Sequence, residues 1–169
     1  RVAGGLMVFA RTSKAASRLS EQIRNREFHK EYVTVVEGQI KAEKSQLVDY
    51  LKKDKDTNTV QVVNKNVKDA KEAILKYEMI ESKDNLTLIS VDLLTGRPHQ
   101  IRVQFSSRKN PIWGDGKYGS SYKSRKGIAL WSRKIEFMHP TKKTKMTFML
   151  EPPLVEPWAR WALRRTAPI

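Results

Sequence analysis

Thr95-Gly96-Arg97-Pro98-His99-Gln100-Ile101-Arg102 sets two arginines, a histidine and a glutamine within eight residues. The run before it, Leu86-Thr87-Leu88-Ile89-Ser90-Val91-Asp92-Leu93, is rich in β-branched and apolar residues, so the polar cluster stands where a strand ends. Pro98 suits the first turn of a helix, and residues 99–107 read as that helix. The spacing of Ile101, Val103 and Phe105 also fits a strand, so periodicity leaves the two open. Arg102, behind the apolar Ile101, demands a carboxylate, because a buried guanidinium without one is costly. That carboxylate belongs either to a structural salt bridge or to a reactive site.

Upstream, Ala73 to Ile80 alternates after Ile74 and pairs with 86–93 across the polar turn Ser82-Lys83-Asp84-Asn85. The alternation slips between Leu88 and Ile89, which predicts a bulge in the later strand. Gln46 to Leu51 and Thr59 to Val63 read as a hairpin projecting from the main body around the charged turn Lys52-Lys53-Asp54-Lys55-Asp56. Tyr32-Val33-Thr34-Val35-Val36-Glu37-Gly38 has the content of a buried strand closed by a glycine. Thr12 or Ser13 caps a helix running to about Arg24, with Ala16, Leu19 and Ile23 on one face, and Val2 to Ala10 reads as an opening strand. Downstream lie strands at Ile128 to Phe137 and Lys145 to Leu150, then a tail whose Trp158 and Trp161 dock it to the body. The pattern is one strand-rich α+β domain over residues 1–169.

Thirty-three Lys and Arg against 18 Asp and Glu leave a net charge of +15, which points to a polyanion, and nucleic acid is the polyanion whose counterion release such a surface exploits. Residues 108–145 hold 11 of the basic residues and only two acids, Asp115 and Glu136. The absence of cysteine excludes disulfide scaffolds, thiolate metal sites and cysteine nucleophiles. No apolar run is long enough to span a membrane, and the start has no signal-like segment, so a reducing cytoplasm is the expected location and no membrane partner is expected.

Gly114, Gly116 and Gly119 match a dinucleotide-fingerprint spacing, but the polar run 120–125 that follows is no helix packed on a sheet, so they read as a structured turn. His29, His99 and His139 have no metal-ligand spacing. Tyr32, at the head of its strand after Lys30, either stacks on a base or fills the core.

Four segments in this order, Gly5 to Thr12, Lys30-Glu31-Tyr32 through Gly38, Thr95 to Arg102, and Pro111-Ile112-Trp113-Gly114-Asp115 with Tyr118-Gly119, resemble the RluA-type RNA pseudouridine synthases. With the His139-Pro140 turn and the late Pro-Leu-Val-Glu-Pro-Trp segment, the resemblance covers nearly the whole chain. It implies a mixed, mainly antiparallel sheet with a central cleft and a few flanking helices. It also implies isomerisation of uridine to pseudouridine in structured ribosomal or transfer RNA, without metal or cofactor, by a monomer that flips the target base out of its stack. By position, Tyr32 matches the family tyrosine that packs on the uracil, and Arg102 the arginine paired to the nucleophilic aspartate. Lys30, Arg97, His99 and Gln100 are the expected contributors to RNA binding and to the shape of the cleft.

The family nucleophile stands in an H-R-L-D motif directly before the segment that Arg1 to Leu6 occupies here, so its counterpart falls before residue 1. Ala3 and Gly4 replace the usual hydroxyl residues. The expectation is an N-terminally shortened catalytic domain that is itself inactive, with an S4-like RNA-binding domain before it left open. The alternative is a non-catalytic basic RNA-binding module.

Overall fold

In the computed structural model, which describes residues 3–161, Val33, Val35 and Val36 have no exposed surface, and the strand that carries them is the spine of the sheet. That strand is β2 (His29–Glu37), after β1 (Gly4–Gly5) and helix α1 (Ser13–Arg24). It is followed by β3 (Lys44–Lys53), β4 (Val60–Val63), β5 (Lys71–Lys83), β6 (Leu86–Leu93), α2 (Gln100–Ser106), β7 (Leu130–Met138) and β8 (Lys145–Met149). The sheet runs β1-β7-β2-β6-β5-β3-β4, with β8 beside β1 on the outer edge of β7. Only β1 pairs in parallel, against β7, so the sheet is mixed and mainly antiparallel, as the resemblance implied.

The α2 helix resolves the ambiguity of its spacing. Ile101 and Phe105, four residues apart, enter the main core, whereas Val103 enters a second cluster with Leu51, Val60 and Ala73. A helix buried nearly all round carries no one-sided pattern, which is why period alone could not decide it. Phe105 meets Tyr77 of β5 edge to face at 5.6 Å between ring centroids. Pro98 lies outside the helix, in the turn before it.

Several sequence expectations change in detail. The opening strand shrinks to Gly4–Gly5, with Arg1 and Val2 outside the described residues. The β3–β4 hairpin does not project free of the body, because β3 pairs along its length with β5. The bulge sits opposite the expected place, on β5 between Met79 and Glu81, where Met79 faces Ile89 and Glu81 faces Leu88. The slip of pattern in β6 instead reflects burial on both faces, since Leu86 to Ile89 are all buried.

Thr12 caps α1 as expected, its Oγ1 accepting from Ala15 N at 3.2 Å. The inward face is Leu19 with Gln22, and Ile23 is half exposed. Gln22 clamps the β7 backbone in both directions, donating to Met138 O and accepting from Met138 N at 2.8 Å each. The glycine-rich loop is a structured turn ending in a single 3-10 turn at Gly116–Tyr118. Trp158 and Trp161 are buried in the main core, which docks the tail as predicted; residues 162–169 lie outside the description.

Candidate active site

Register across the sheet aligns Gly5, Ser132, Tyr32, Val91, Tyr77 and Ser45 in one row through β1, β7, β2, β6, β5 and β3. Directly paired residues project from the same side, and Tyr77 packs on α2, so Tyr32 and α2 share one face of the sheet, two strands or ~10 Å apart. A bulge between Glu31 and Tyr32 sets this row. Glu31 pairs with Lys134 and Tyr32 with Ser132, leaving Arg133 over. Arg133 then gathers Glu31 at 3.2 Å and Glu151 at 2.7 Å behind the row.

Tyr32 borders a cavity of about 480 Å³, walled by Trp113, Ile128, Trp131 and Trp158 and closed by Gly4 and Gly5. That volume lies in the range of small-molecule sites, and its aromatic walls suit a planar base. The glycines are required there. A Cβ on Gly5 would fall 2.3 Å from Ser132 O, and one on Gly4 would fall 2.5 Å from the Trp131 ring. Burial holds the Tyr32 phenol above its ordinary pKa, with Ser132 pulling weakly the other way, so the hydroxyl is protonated at neutral pH. Among the described residues lining this cavity the one carboxylate is Glu156, which pairs with Arg160 at 2.8 Å.

Tyr32 also borders an adjoining cavity of about 260 Å³, which Lys30 lines together with Leu6, Leu19, Ile23, Phe28 and Ile135. The Lys30 ammonium lies 5.1 Å from the Phe28 ring centroid, and burial lowers its pKa.

The Thr95 to Arg102 cluster does a different kind of work. Gln100, expected to contribute to RNA binding, is buried: its Oε1 accepts from Thr95 Oγ1 at 2.8 Å and Arg97 N at 3.0 Å, and its Nε2 donates to Ile74 O at 3.1 Å. It ties the start of α2 to β5, with one of its two amide N–H groups used on Ile74 O. Arg97 is exposed and donates through Nε to Glu72 O at 2.8 Å, keeping the rest of its fork at the surface. His99 takes the left-handed conformation at φ 51°, and its Nδ1 lies 2.7 Å from Tyr118 Oη. Its pKa is lowered, first by burial and then by Arg102 and Lys117.

Arg102 has the acidic partner its position demanded. Nε and Nη2 donate to Asp115 at 2.7 and 2.8 Å, and the guanidinium lies 4.7 Å from the Tyr118 ring centroid. Within this chain the carboxylate that pairs with Arg102 is Asp115. The signal was present in the composition, since Asp115 and Glu136 are the only acids in 108–145. The cavity walls Trp113, Trp131 and Trp158 had no such signal, because an aromatic residue in a strand or tail reads as core.

The family model for RNA pseudouridylate synthase matches residues 1–107. The chain belongs to the RNA pseudouridylate synthase family. Its features are those of the RluA type. An uncharacterized RNA pseudouridine synthase of Mycoplasma genitalium is 32% identical over 150 residues, covering 88% of this chain and 48% of that protein. The ribosomal large subunit pseudouridine synthase D of Xanthomonas campestris is also 32% identical, covering 80% of the chain and 44% of that protein. The chain therefore spans about half the length of the curated relatives it matches. The human RNA pseudouridylate synthase domain containing 4 structure superposes with a TM-score of 0.71 at 19% identity, over 89% of this chain and 68% of that one, which establishes the synthase fold. In that fold Tyr32 and Lys30 come together at the cleft, whereas Arg97, His99, Gln100 and Arg102 line neither of its two cavities.

Proposed function

We propose that this chain is the catalytic domain of an enzyme that isomerises uridine to pseudouridine in structured ribosomal or transfer RNA. The observation that carries the reading is the aligned Gly5, Ser132 and Tyr32 row beneath a cavity walled by tryptophans. A flipped uracil fits between the Tyr32 ring and those walls, and excluding water there strengthens every polar contact the base makes.

The reaction conserves atoms. A nucleophilic aspartate bonds to C1′ as the N1–C1′ bond breaks and uracil leaves as its anion; the uracil turns, C5 bonds to C1′ as the carboxylate leaves, the C5 proton is removed and N1 gains one. The family position of that aspartate precedes residue 1, and the described cavity lining offers only Glu156, already paired with Arg160. Tyr32, on this reading, stacks on the uracil, and its protonated hydroxyl relays the C5 proton, giving up its own proton as it accepts that one. Arg102 donates to Asp115 through Nε and Nη2, and on this reading its remaining Nη1 is the group left for the nucleophile's carboxylate. Lys30, Arg97 and His99 serve the RNA.

The test is tritium release from RNA carrying C5-tritiated uridine. A polypeptide extended through the preceding segment should release tritium, and the 169-residue chain should bind the RNA without releasing it. Tyr32→Phe in the extended protein should slow release by about 10²-fold or more, the usual scale of a lost proton-transfer group. No release from any structured ribosomal or transfer RNA would leave a basic RNA-binding module as the function. Undiminished release by Tyr32→Phe would remove Tyr32 from proton transfer.

A further inference from the structure

Lys14, Arg18, Lys142 and Lys143 form no ion pair among the described residues, although Lys134 and Lys145 beside them both pair with Glu136. The fold brings the four together. Positions 14, 18 and 22 make one stripe along α1, each a turn from the next. Gln22 on that stripe clamps Met138, and Arg18 donates through Nη1 to Pro140 O, so Lys14 continues the stripe toward the turn at 141–143.

That turn is held rigid. His139 Nδ1 accepts from Thr141 N at 3.1 Å and Lys142 N at 3.0 Å, and Lys143 N donates to His139 O at 3.0 Å. Lys142 and Lys143 are exposed on it, and Lys143 takes the left-handed conformation at φ 54°. The first turn of α1 contains no acidic residue. Clustered cations held in place without carboxylates repel one another, a cost that a bound polyanion offsets. The adjoining flank of α1, through Leu19 and Ile23, lines the smaller cavity shared by Lys30 and Tyr32. One helix therefore connects the ridge to the cleft.

We propose that the ridge formed by Lys14, Arg18, Lys142 and Lys143 carries the RNA phosphodiester backbone that flanks the base entering the Tyr32 cleft. The proposal rests on the RNA-directed reading of the cleft and adds the surface along which the strand runs. At 12 residues α1 is ~18 Å long, enough for a strand to pass several phosphates. Arg18 also supports the hairpin backbone, so the test leaves it in place.

The experiment measures binding of the full chain to a fluorescein-labelled RNA stem-loop by anisotropy between 50 and 200 mM salt, a range over which phosphate contacts are separated by their salt dependence. Lys14→Gln/Lys142→Gln/Lys143→Gln is compared with Lys41→Gln/Lys65→Gln/Lys68→Gln, which removes equal charge from exposed loops elsewhere. The ridge variant should flatten the slope of log K against log salt by about 2 and weaken binding about tenfold or more, with unchanged circular dichroism. The loop variant should hold the wild-type slope. Equal changes in both variants would overturn the ridge while leaving RNA binding intact. A wild-type chain that binds no RNA would overturn the reading of the cleft and the ridge with it.

Discussion

Arg102 and Asp115 face each other through two parallel hydrogen bonds, Nε to Oδ2 at 2.7 Å and Nη2 to Oδ1 at 2.8 Å, with Asp115 1% and Arg102 6% exposed. This fork joins α2 to the glycine-rich loop. From there Tyr118 Oη accepts from Val60 N at 2.9 Å, and Lys117 Nζ donates to Thr57 O and Asn58 O at 3.2 and 2.8 Å. One ion pair therefore anchors the loop that in turn holds the tip of the β3–β4 hairpin.

Asp115→Asn should cost about 3–5 kcal/mol in urea unfolding, the scale for a buried charge left without its counterion. Replacing both partners, as Arg102→Met/Asp115→Leu, should restore much of that loss, because no charge then remains buried. A loss below ~1 kcal/mol in Asp115→Asn would show that the pair does not anchor the loop.

Gly5→Ala should detach β1 from β7. Gly5 has φ 101°, and its Cβ would meet the Ser132 backbone, which cannot rotate away as a side chain would. Backbone strain alone amounts to about 1–3 kcal/mol. The expected readout is loss of hydrogen-exchange protection at Leu6 N, which donates to Ser132 O at 2.9 Å, together with reduced tritium release by the extended protein.

Acidification should destabilise the fold through His99. Burial, followed by Arg102 and Lys117, lowers its pKa below the ordinary 6.5, so near that value the unfolded chain binds more protons than the folded one. The His99 contribution is complete above pH ~6.5 and is lost as pH falls through the window beneath it. The urea midpoint should drop between pH 7.5 and 6, and His99→Gln should drop less. An identical drop in both would assign the effect elsewhere.

Trp158→Ala should cost about 3–5 kcal/mol, the usual price of emptying a buried tryptophan site, and Trp158→Phe clearly less. Trp158 belongs to the main core and also walls the cavity beside Tyr32, so both variants should weaken RNA turnover in the extended protein, in the order of their volume loss.

Where local chemistry settles a structure, the reading from sequence was close. Thr12 capped α1, Gly38 closed β2, and 86–93 paired with the strand before it, because a cap, a positive φ and an alternating run act over a few residues. Expectations slipped where burial acts on both sides. Residues buried on two faces show no period, so the pattern of β6 points to a bulge that in fact lies on β5, and the spacing of α2 fits helix and strand alike because its three apolar residues enter two different clusters.

The site divides in the same way. Residue types and order alone determined an α+β, strongly basic chain resembling the synthase family, with Tyr32 in a buried strand, which the structure starts earlier at His29, and Arg102 in need of a carboxylate. Only the tertiary structure decided that this carboxylate is Asp115, 13 residues on, that Gln100 is buried and bonded to Thr95, Arg97 and Ile74, and that Gly5, Ser132 and Tyr32 share one row. The physical reason is that an ion pair or a cavity wall is a relation between distant segments, fixed by strand register and by which helix covers which face, and register is set by the packing of the whole sheet.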